Sequence, residues 1–162
     1  MILISIAEGI GFGALLVLYC LIGIKDGAVG MVHLYDKNVQ ERCVELGLTT
    51  RERIKKRAII FKVLGLSSYV LYVIVCTYLV NGARGFTEGF LQLLITLSVC
   101  NLIDRILIDE LWVCHTNAWN IEGTEDLKPY ITKKDKVKKW ISGTVGMAAA
   151  AAIAGIMALI LK

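Results

Sequence analysis

The stretch from Asn101 to His115 holds the richest set of side chains in an apolar run that could do chemistry. Ionisable residues are costly in hydrocarbon, so those inside an apolar run indicate a functional site by default. Helical spacing places Asn101, Asp104 and Arg105 on one face. A direct Asp104–His115 dyad is excluded, because their separation corresponds to roughly 16 Å along a helix. The residues that could supply acid–base groups to an enzyme are Asp104, Asp109, Glu110 and His115.

Two ion pairs would hold these charges if their role is structural. Arg105 and Asp109 have the spacing at which helical side chains pair. We expect Lys62, about one turn inside the second apolar run, to lie at the depth of Asp104, where a Lys62–Asp104 pair would fix the register of two helices. The alternative is that a substrate or an ion binds to these charges. In contrast, we expect Glu110 to be solvated.

Glu8 is the second conspicuous charge in apolar surroundings. It lies next to Gly9, Gly11 and Gly13, which allow another backbone to approach closely. A carboxylate beside such a groove could bind a cation or relay a proton. The alternative is that Glu8 pairs with Arg84 or with a backbone group. Together with polar residues of the second and third runs it defines a candidate ligand or ion path, formed by Glu8, Lys62, Asn101, Asp104 and Arg105.

The cysteines and histidines show no spacing that is typical of a metal site. Five cysteines occur, none in a Cys-x-x-Cys pair. His33, His115, Cys43 and Cys114 match no zinc-ligand pattern. The sequence also has no phosphate-binding glycine loop and no nucleophile elbow. We therefore expect no metal, no cofactor and structural thiols.

Four long apolar runs must position these residues. The chain is 56% hydrophobic and 20% charged, which is more apolar than a typical soluble domain. A helix that crosses the hydrocarbon core needs about 20 mostly apolar residues. The runs cover about residues 2–24, 58–80, 89–108 and 141–161. This pattern predicts an all-α polytopic membrane protein, with a single domain over residues 1–162 that forms a four-transmembrane-helix bundle.

Basic residues are concentrated in two of the three connecting segments, 25–57 and 109–140. Short cytoplasmic loops carry an excess of Lys and Arg, so the predicted orientation in the cell membrane is N-out and C-out. Two clusters are expected to contact anionic lipid headgroups, or only to set the topology: Arg51, Arg53, Lys55, Lys56 and Arg57, and Lys133, Lys134, Lys136, Lys138 and Lys139. No element that reads nucleic acid accompanies them, so we expect no nucleic-acid partner.

Shorter patterns predict local structure. Residues 34–46 predict an amphipathic cytoplasmic helix that ends at Gly47. Thr49 and Glu52 fit a capping box at the start of the helix that continues into the second run. All three tryptophans are expected in an aromatic belt at the inner boundary: Trp112, Trp119 and Trp140. Small residues in the fourth run favour tight packing within the chain or in a homo-oligomer: Gly143, Gly146, Ala150, Ala154 and Ala158.

A pattern of polar and aromatic residues covers about residues 102–126. It consists of Leu102-Ile103-Asp104, Asp109, Trp112, His115-Thr116, Trp119 and Gly123-Thr124-Glu125-Asp126. This pattern resembles one in small four-span membrane proteins of Gram-positive bacteria. The resemblance implies a bacterial cell membrane and no particular activity.

The polar residues are compatible with functions of different classes. We favour a small transporter, channel or carrier subunit for an ion or small solute, in which Glu8, Lys62, Asp104 and Arg105 line the path, because no catalytic constellation is recognisable. One alternative is a membrane-embedded enzyme that acts on a lipid-linked substrate at the cytoplasmic face. Another is an accessory subunit of a larger membrane complex.

Overall fold

The computed structural model describes residues 1–161; Lys162 lies outside the described residues. Within that range the chain forms helices and no strand. The five α-helical elements are α1 (Ile2–Gly23), α2 (Lys37–Glu45), α3 (Arg51–Val80), α4 (Phe86–Val113) and α5 (Lys133–Ile160). Short 3-10 turns cover Ala28–Leu34, Asn117–Trp119 and Glu125–Leu127. All helices except α2 are long and apolar enough to cross a membrane, which confirms the predicted all-α class and the number of long helices.

The helices extend beyond the apolar runs at one end of the molecule. The first turns of α3 and α5 carry the two basic clusters, and α4 continues through residues 109–113, which the sequence assigned to a loop. Wider π-helical turns form Val75–Val80 of α3 and Ile103–Val113 of α4. At this end of the molecule α1 and α4 finish, and α3 and α5 begin. We call it the basic end.

Caps define where the helices begin and end at the basic end. Gly47 has a φ of 71°, a left-handed conformation that suits glycine, and it ends α2 as predicted. The predicted Thr49–Glu52 capping box is wrong by one residue, because the Thr50 hydroxyl accepts the Arg53 backbone N–H at 3.3 Å.

α4 is the central helix, with α1 on one side and α5 on the other. The α1 contact is close because Gly9 and Gly13 lie directly against Val99 and Ile103. On the α5 side, Ala150 and Ala154 are buried in a core with Leu93 and Leu97 of α4. The predicted small-residue stripe therefore serves packing within the chain at these two alanines, whereas Gly143 and Gly146 face open space.

α3 makes its main contacts through its two ends. Its beginning packs on the turn Ala28–Leu34, and its last turns, Val75–Val80, reach α4. Between α1 and α3 the contacts include aromatic pairs, with ring centroids 5.0 Å apart for Phe12–Tyr72 and 5.3 Å for Tyr19–Phe61.

A second core fills the basic end beyond the long helices. It is built by α2, the 3-10 turns and the end of α1, and it includes Cys20, Met31, Tyr35, Cys43 and Trp119. Trp119 is only 2% exposed, so its predicted place in an aromatic belt is wrong. The residue is instead a core side chain, and its ring meets that of Trp112 edge-on, with centroids 5.2 Å apart.

Candidate functional site

Four charged side chains meet where α4 approaches the start of α5. Lys139 Nζ lies 2.6 Å from both carboxylate oxygens of Asp109. Arg105 Nη1 contacts Asp104 and lies 3.5 Å from Asp109, which confirms the predicted Arg105–Asp109 pair. Arg105 also donates to the Lys139 carbonyl at 3.2 Å. We call this group, Asp104, Arg105, Asp109 and Lys139, the charged cluster.

The charged cluster is compensated and largely shielded from solvent. Two carboxylates face two cations, and the side chains of Asp109 and Arg105 are only 7% and 12% exposed. Burying one of these charges alone would be expensive, so the pairing is what allows them to lie here. The π-helical turns over Ile103–Val113 bring Asp104, Arg105 and Asp109 to one side of α4.

The predicted Lys62–Asp104 pair is wrong. Lys62 is exposed, and among the ion pairs of residues 1–161 Asp104 pairs with its neighbour Arg105. The reason is the position of α3, which contacts the rest of the protein mainly through its ends and does not bring Lys62 against α4. Asn101 lies half-buried on α4, about one turn before Asp104.

Glu110 and His115 lie outside the charged cluster. Glu110 forms an ion pair with Lys136 of α5, and about half of its side chain is exposed. The expectation that Glu110 is solvated therefore holds only in part, because the side chain is half exposed but paired with Lys136. The exposed His115 ring has its Nδ1 2.6 Å from the Glu110 carbonyl oxygen. Of the acid–base candidates, the structure brings only Asp104 and Asp109 together.

Lys136 and Lys139 are the site residues whose role the sequence analysis missed. Both were assigned to lipid headgroups, yet their ammonium groups bind Glu110 and Asp109 within the protein. The available signal was their spacing, because lysines one helical turn apart can face two adjacent acidic residues on a neighbouring helix.

A cavity of about 280 Å³ adjoins the charged cluster. Its walls include all four members of the cluster, together with the rings of Tyr35, Trp119 and Tyr130. Tyr35 donates its hydroxyl to the Trp119 carbonyl at 2.7 Å. Burial, with a smaller contribution from Tyr130, raises the pKa of Tyr35, so this wall of the cavity is a neutral phenol.

An apolar groove of about 620 Å³ runs between α1 and α3. Its lining is Phe12, Leu15, Leu16 and Tyr19 of α1, and Phe61, Leu64, Gly65, Ser68, Leu71, Tyr72, Val75 and Cys76 of α3. Leu16 and Phe61 also line the cavity of the charged cluster, so the groove and that cavity adjoin. We call this feature the α1–α3 groove.

Glu8 forms a separate polar cluster near the opposite end of the molecule. Asn81 donates its amide to Glu8 Oε1 and to Gln92 Oε1, both at 2.8 Å. The second carboxylate oxygen of Glu8 is buried and has no partner within residues 1–161. The expected alternative of a Glu8–Arg84 pair is wrong: within the described chain, the Arg84 side chain donates to the Ala83 carbonyl, and its backbone N–H donates to the Glu88 carboxylate.

The structure does not join the residues of the candidate path. Glu8 and Asp104 lie toward opposite ends of the long helices, and the α1–α4 contact between them is formed by Gly9, Gly13, Val99 and Ile103. In the part of the chain that the structure describes, no group of three or more His, Cys, Asp or Glu residues could hold a metal ion. The five cysteines are free thiols.

These features define an all-helical protein with four helices that are long and apolar enough to cross a membrane. No family model, curated protein or solved structure matches the chain.

Proposed function

We propose that this protein is an integral membrane protein that binds an amphipathic, lipid-like ligand laterally from the leaflet at its basic end. The apolar part of the ligand occupies the α1–α3 groove, and its polar part reaches the basic end. The observation that carries this proposal is that the groove adjoins the cavity of the charged cluster at Leu16 and Phe61, which line both. An apolar pocket with a few convergent polar groups at one end is typical of a ligand site.

The chemistry of the groove supports a hydrocarbon chain as its occupant. Most of its lining side chains are aliphatic or aromatic, and it is flanked by the outward faces of two helices that would meet lipid directly. Two basic clusters lie at the end where the polar part of such a molecule would be placed, and Lys and Arg near a membrane surface attract anionic headgroups.

We infer that the basic end faces the cytoplasm of a bacterial cell, with both termini outside. The support is the Lys and Arg excess in the segments 25–57 and 109–140. Labelling of single cysteines introduced at Lys55 and at Arg84 tests the orientation, since only the second should react with an impermeant reagent added to intact cells. The reverse pattern would move the proposed ligand to the outer leaflet.

Filling the groove tests ligand binding. A Cβ on Gly65 meets no atom within 4 Å, and Gly65 lines the groove, so Gly65→Phe introduces a ring there from an unobstructed position. We expect this variant to lose most of the photo-cross-linking by a phospholipid that carries a diazirine in its acyl chain. Gly146→Phe on α5 is the matched control, because Gly146 is equally unobstructed and does not line the groove. Equal cross-linking of the two folded variants would contradict the proposal.

A second candidate, solute transport, is favoured by one observation. The buried, unpartnered Oε2 of Glu8 could bind a cation or a proton. If it does, Glu8→Gln in proteoliposomes should abolish ion-linked flux while thermal stability stays unchanged, because glutamine keeps the hydrogen bond to Asn81 and removes the titratable charge. Unchanged flux in a folded Glu8→Gln protein would end this role.

A further inference from the structure

A second polar cavity, of about 540 Å³, lies at the end of the α1–α3 groove. Its walls come from the end of α1, the turn Ala28–Leu34 and the first turns of α3. Tyr19 and Phe61 line both this cavity and the groove, so the two features adjoin at these rings. The charged cluster contributes no residue to this cavity.

The cavity carries a net positive charge. Arg53 and Arg57 lie one helical turn apart on α3 and both line it, whereas the acidic side chain in its wall is Asp26. Within residues 1–161 neither arginine has a carboxylate within 4.0 Å. Arg57 is oriented by a hydrogen bond that it donates to the Val29 carbonyl at 3.3 Å. The two guanidinium groups therefore keep most of their donors available.

His33 contributes its ring to the wall of the cavity. The residue lines the cavity, and both of its ring nitrogens are buried without a hydrogen-bond partner in the described chain. Buried polar atoms are rarely left unpaired, and each one costs free energy. The ring is fixed by an edge-on contact with Phe61, with centroids 5.1 Å apart.

We propose that this cavity binds the phosphate group of an anionic lipid whose acyl chain lies in the α1–α3 groove. The planar, forked donors of arginine match the oxygens of a phosphate, and paired arginines bind it more strongly than isolated lysines. The cavity and the groove adjoin at Tyr19 and Phe61, and the proposal assigns the two parts of one molecule to these neighbouring spaces. This assignment names the ligand class and rests on the proposed function.

The test compares two double variants of the same basic cluster. Arg53→Gln/Arg57→Gln removes the charges that line the cavity, whereas Lys55→Gln/Lys56→Gln removes the same charge from α3 without changing the cavity lining. The full-length protein is placed in phosphatidylcholine nanodiscs and cross-linked by a diazirine-chain phosphatidic acid. Unlabelled phosphatidic acid, diacylglycerol with the same chains, and inorganic phosphate then compete.

For the wild type we expect phosphatidic acid to compete roughly tenfold or more better than diacylglycerol, as two basic contacts would provide. The arginine variant should lose this preference and the lysine variant should keep it. If the double variant does not fold, Arg53→Gln alone serves instead, because the Arg53 side chain makes no hydrogen bond in the described chain. This single variant should lose part of the preference for phosphatidic acid. Inorganic phosphate should not compete, because it lacks the acyl chain.

Each other outcome overturns a defined part of the proposal. An unchanged lipid preference in the folded arginine variants would exclude the phosphate site, even if Gly65→Phe still abolishes cross-linking and the proposed function stands. Competition by inorganic phosphate as strong as that by phosphatidic acid would assign the cavity to a free anion. Cross-linking that is unaffected by Gly65→Phe would remove the proposed function itself.

Discussion

On the side of α1 that faces α4, Gly9 and Gly13 bring the two helices so close that an added Cβ would lie 2.6 Å from Val99 and 2.5 Å from Ile103. On the side that faces α3, the same helix leaves a groove of about 620 Å³ between aromatic and aliphatic side chains. The two helices on either side of α1 are similarly apolar. The comparison shows that small residues let α1 and α4 pack closely. Large aromatic residues between α1 and α3 instead keep those two helices apart and leave space for a ligand.

The charges follow a similar division. Where α4 meets α5, the ions of the charged cluster compensate one another. The open side ends in the cavity of Arg53 and Arg57, which have no acidic partner within residues 1–161. Compensated charges hold helices together, whereas uncompensated charges beside an apolar groove are available to a ligand.

The largest effect should come from breaking the charged cluster between α4 and α5. Asp109→Ala leaves Lys139 without a carboxylate and leaves Arg105 with Asp104 alone, so we expect a loss in the free energy of unfolding of up to about 3–5 kcal/mol. Glu110→Ala, which removes a more exposed pair, should cost much less, because surface ion pairs contribute little to stability. Denaturant titration in detergent micelles measures both. Similar losses in the two variants would mean that the cluster does not hold α4 to α5.

An intermediate effect should come from the glycines that face α4. Gly9→Ala would place a methyl group 2.8 Å from the Thr96 carbonyl oxygen, and overpacking of this kind costs about 1–3 kcal/mol. Gly65→Ala in the groove meets no atom within 4 Å and should be neutral, or stabilising by up to about 1 kcal/mol through its better helix propensity. The two melting temperatures measure the contrast between the closed and open faces of α1. If Gly65→Ala lowered the melting temperature as much as Gly9→Ala, the two faces would not differ in packing.

The smallest effect concerns pH at the open side. Burial, together with the nearby Arg57, lowers the pKa of His33 in the folded protein. The unfolded chain therefore binds the proton first as the pH falls, and His33 should reduce stability below about pH 6.5 and have no effect well above it. Between about pH 7.5 and about pH 5.5, the melting temperature of His33→Gln should fall less than that of the wild type. The charged groups that line the same cavity, Asp26, Arg53 and Arg57, are unchanged in this comparison. An equal fall in melting temperature in both proteins would show that burial does not hold His33 neutral.

The sequence predicted the features that depend on local periodicity. The four long helices follow from the apolar runs, and the Arg105–Asp109 pair follows from its spacing within one helix. The end of α2 at Gly47 was also predictable, because a helix commonly stops at a left-handed glycine.

Features that depend on how the helices are placed relative to one another were not predictable. The Lys62–Asp104 pair failed because α3 keeps Lys62 away from α4, and nothing in the sequence near Lys62 specifies that distance. Asp109 instead meets Lys139, whose approach is set by the fold of residues 114–132. Trp119 was misplaced for a similar reason, because the buried core at the basic end is formed by turns that carry no periodic pattern. The groove residues look like ordinary lipid-facing side chains until both helices are in position.

The position of a bound acyl chain is the most direct test of the α1–α3 groove. Peptide mapping of the wild-type protein, cross-linked in nanodiscs by a phosphatidic acid with a diazirine in its chain, locates the attachment sites. The groove predicts that attachments concentrate on Phe12, Leu15 and Tyr19 of α1 and on Leu64, Leu71 and Val75 of α3. The exposed face of α5, which includes Val145, Ile156 and Leu159, is the internal reference. Attachments spread equally over the α5 face and the groove would show that the chain meets the protein only as surrounding lipid, and would contradict the account.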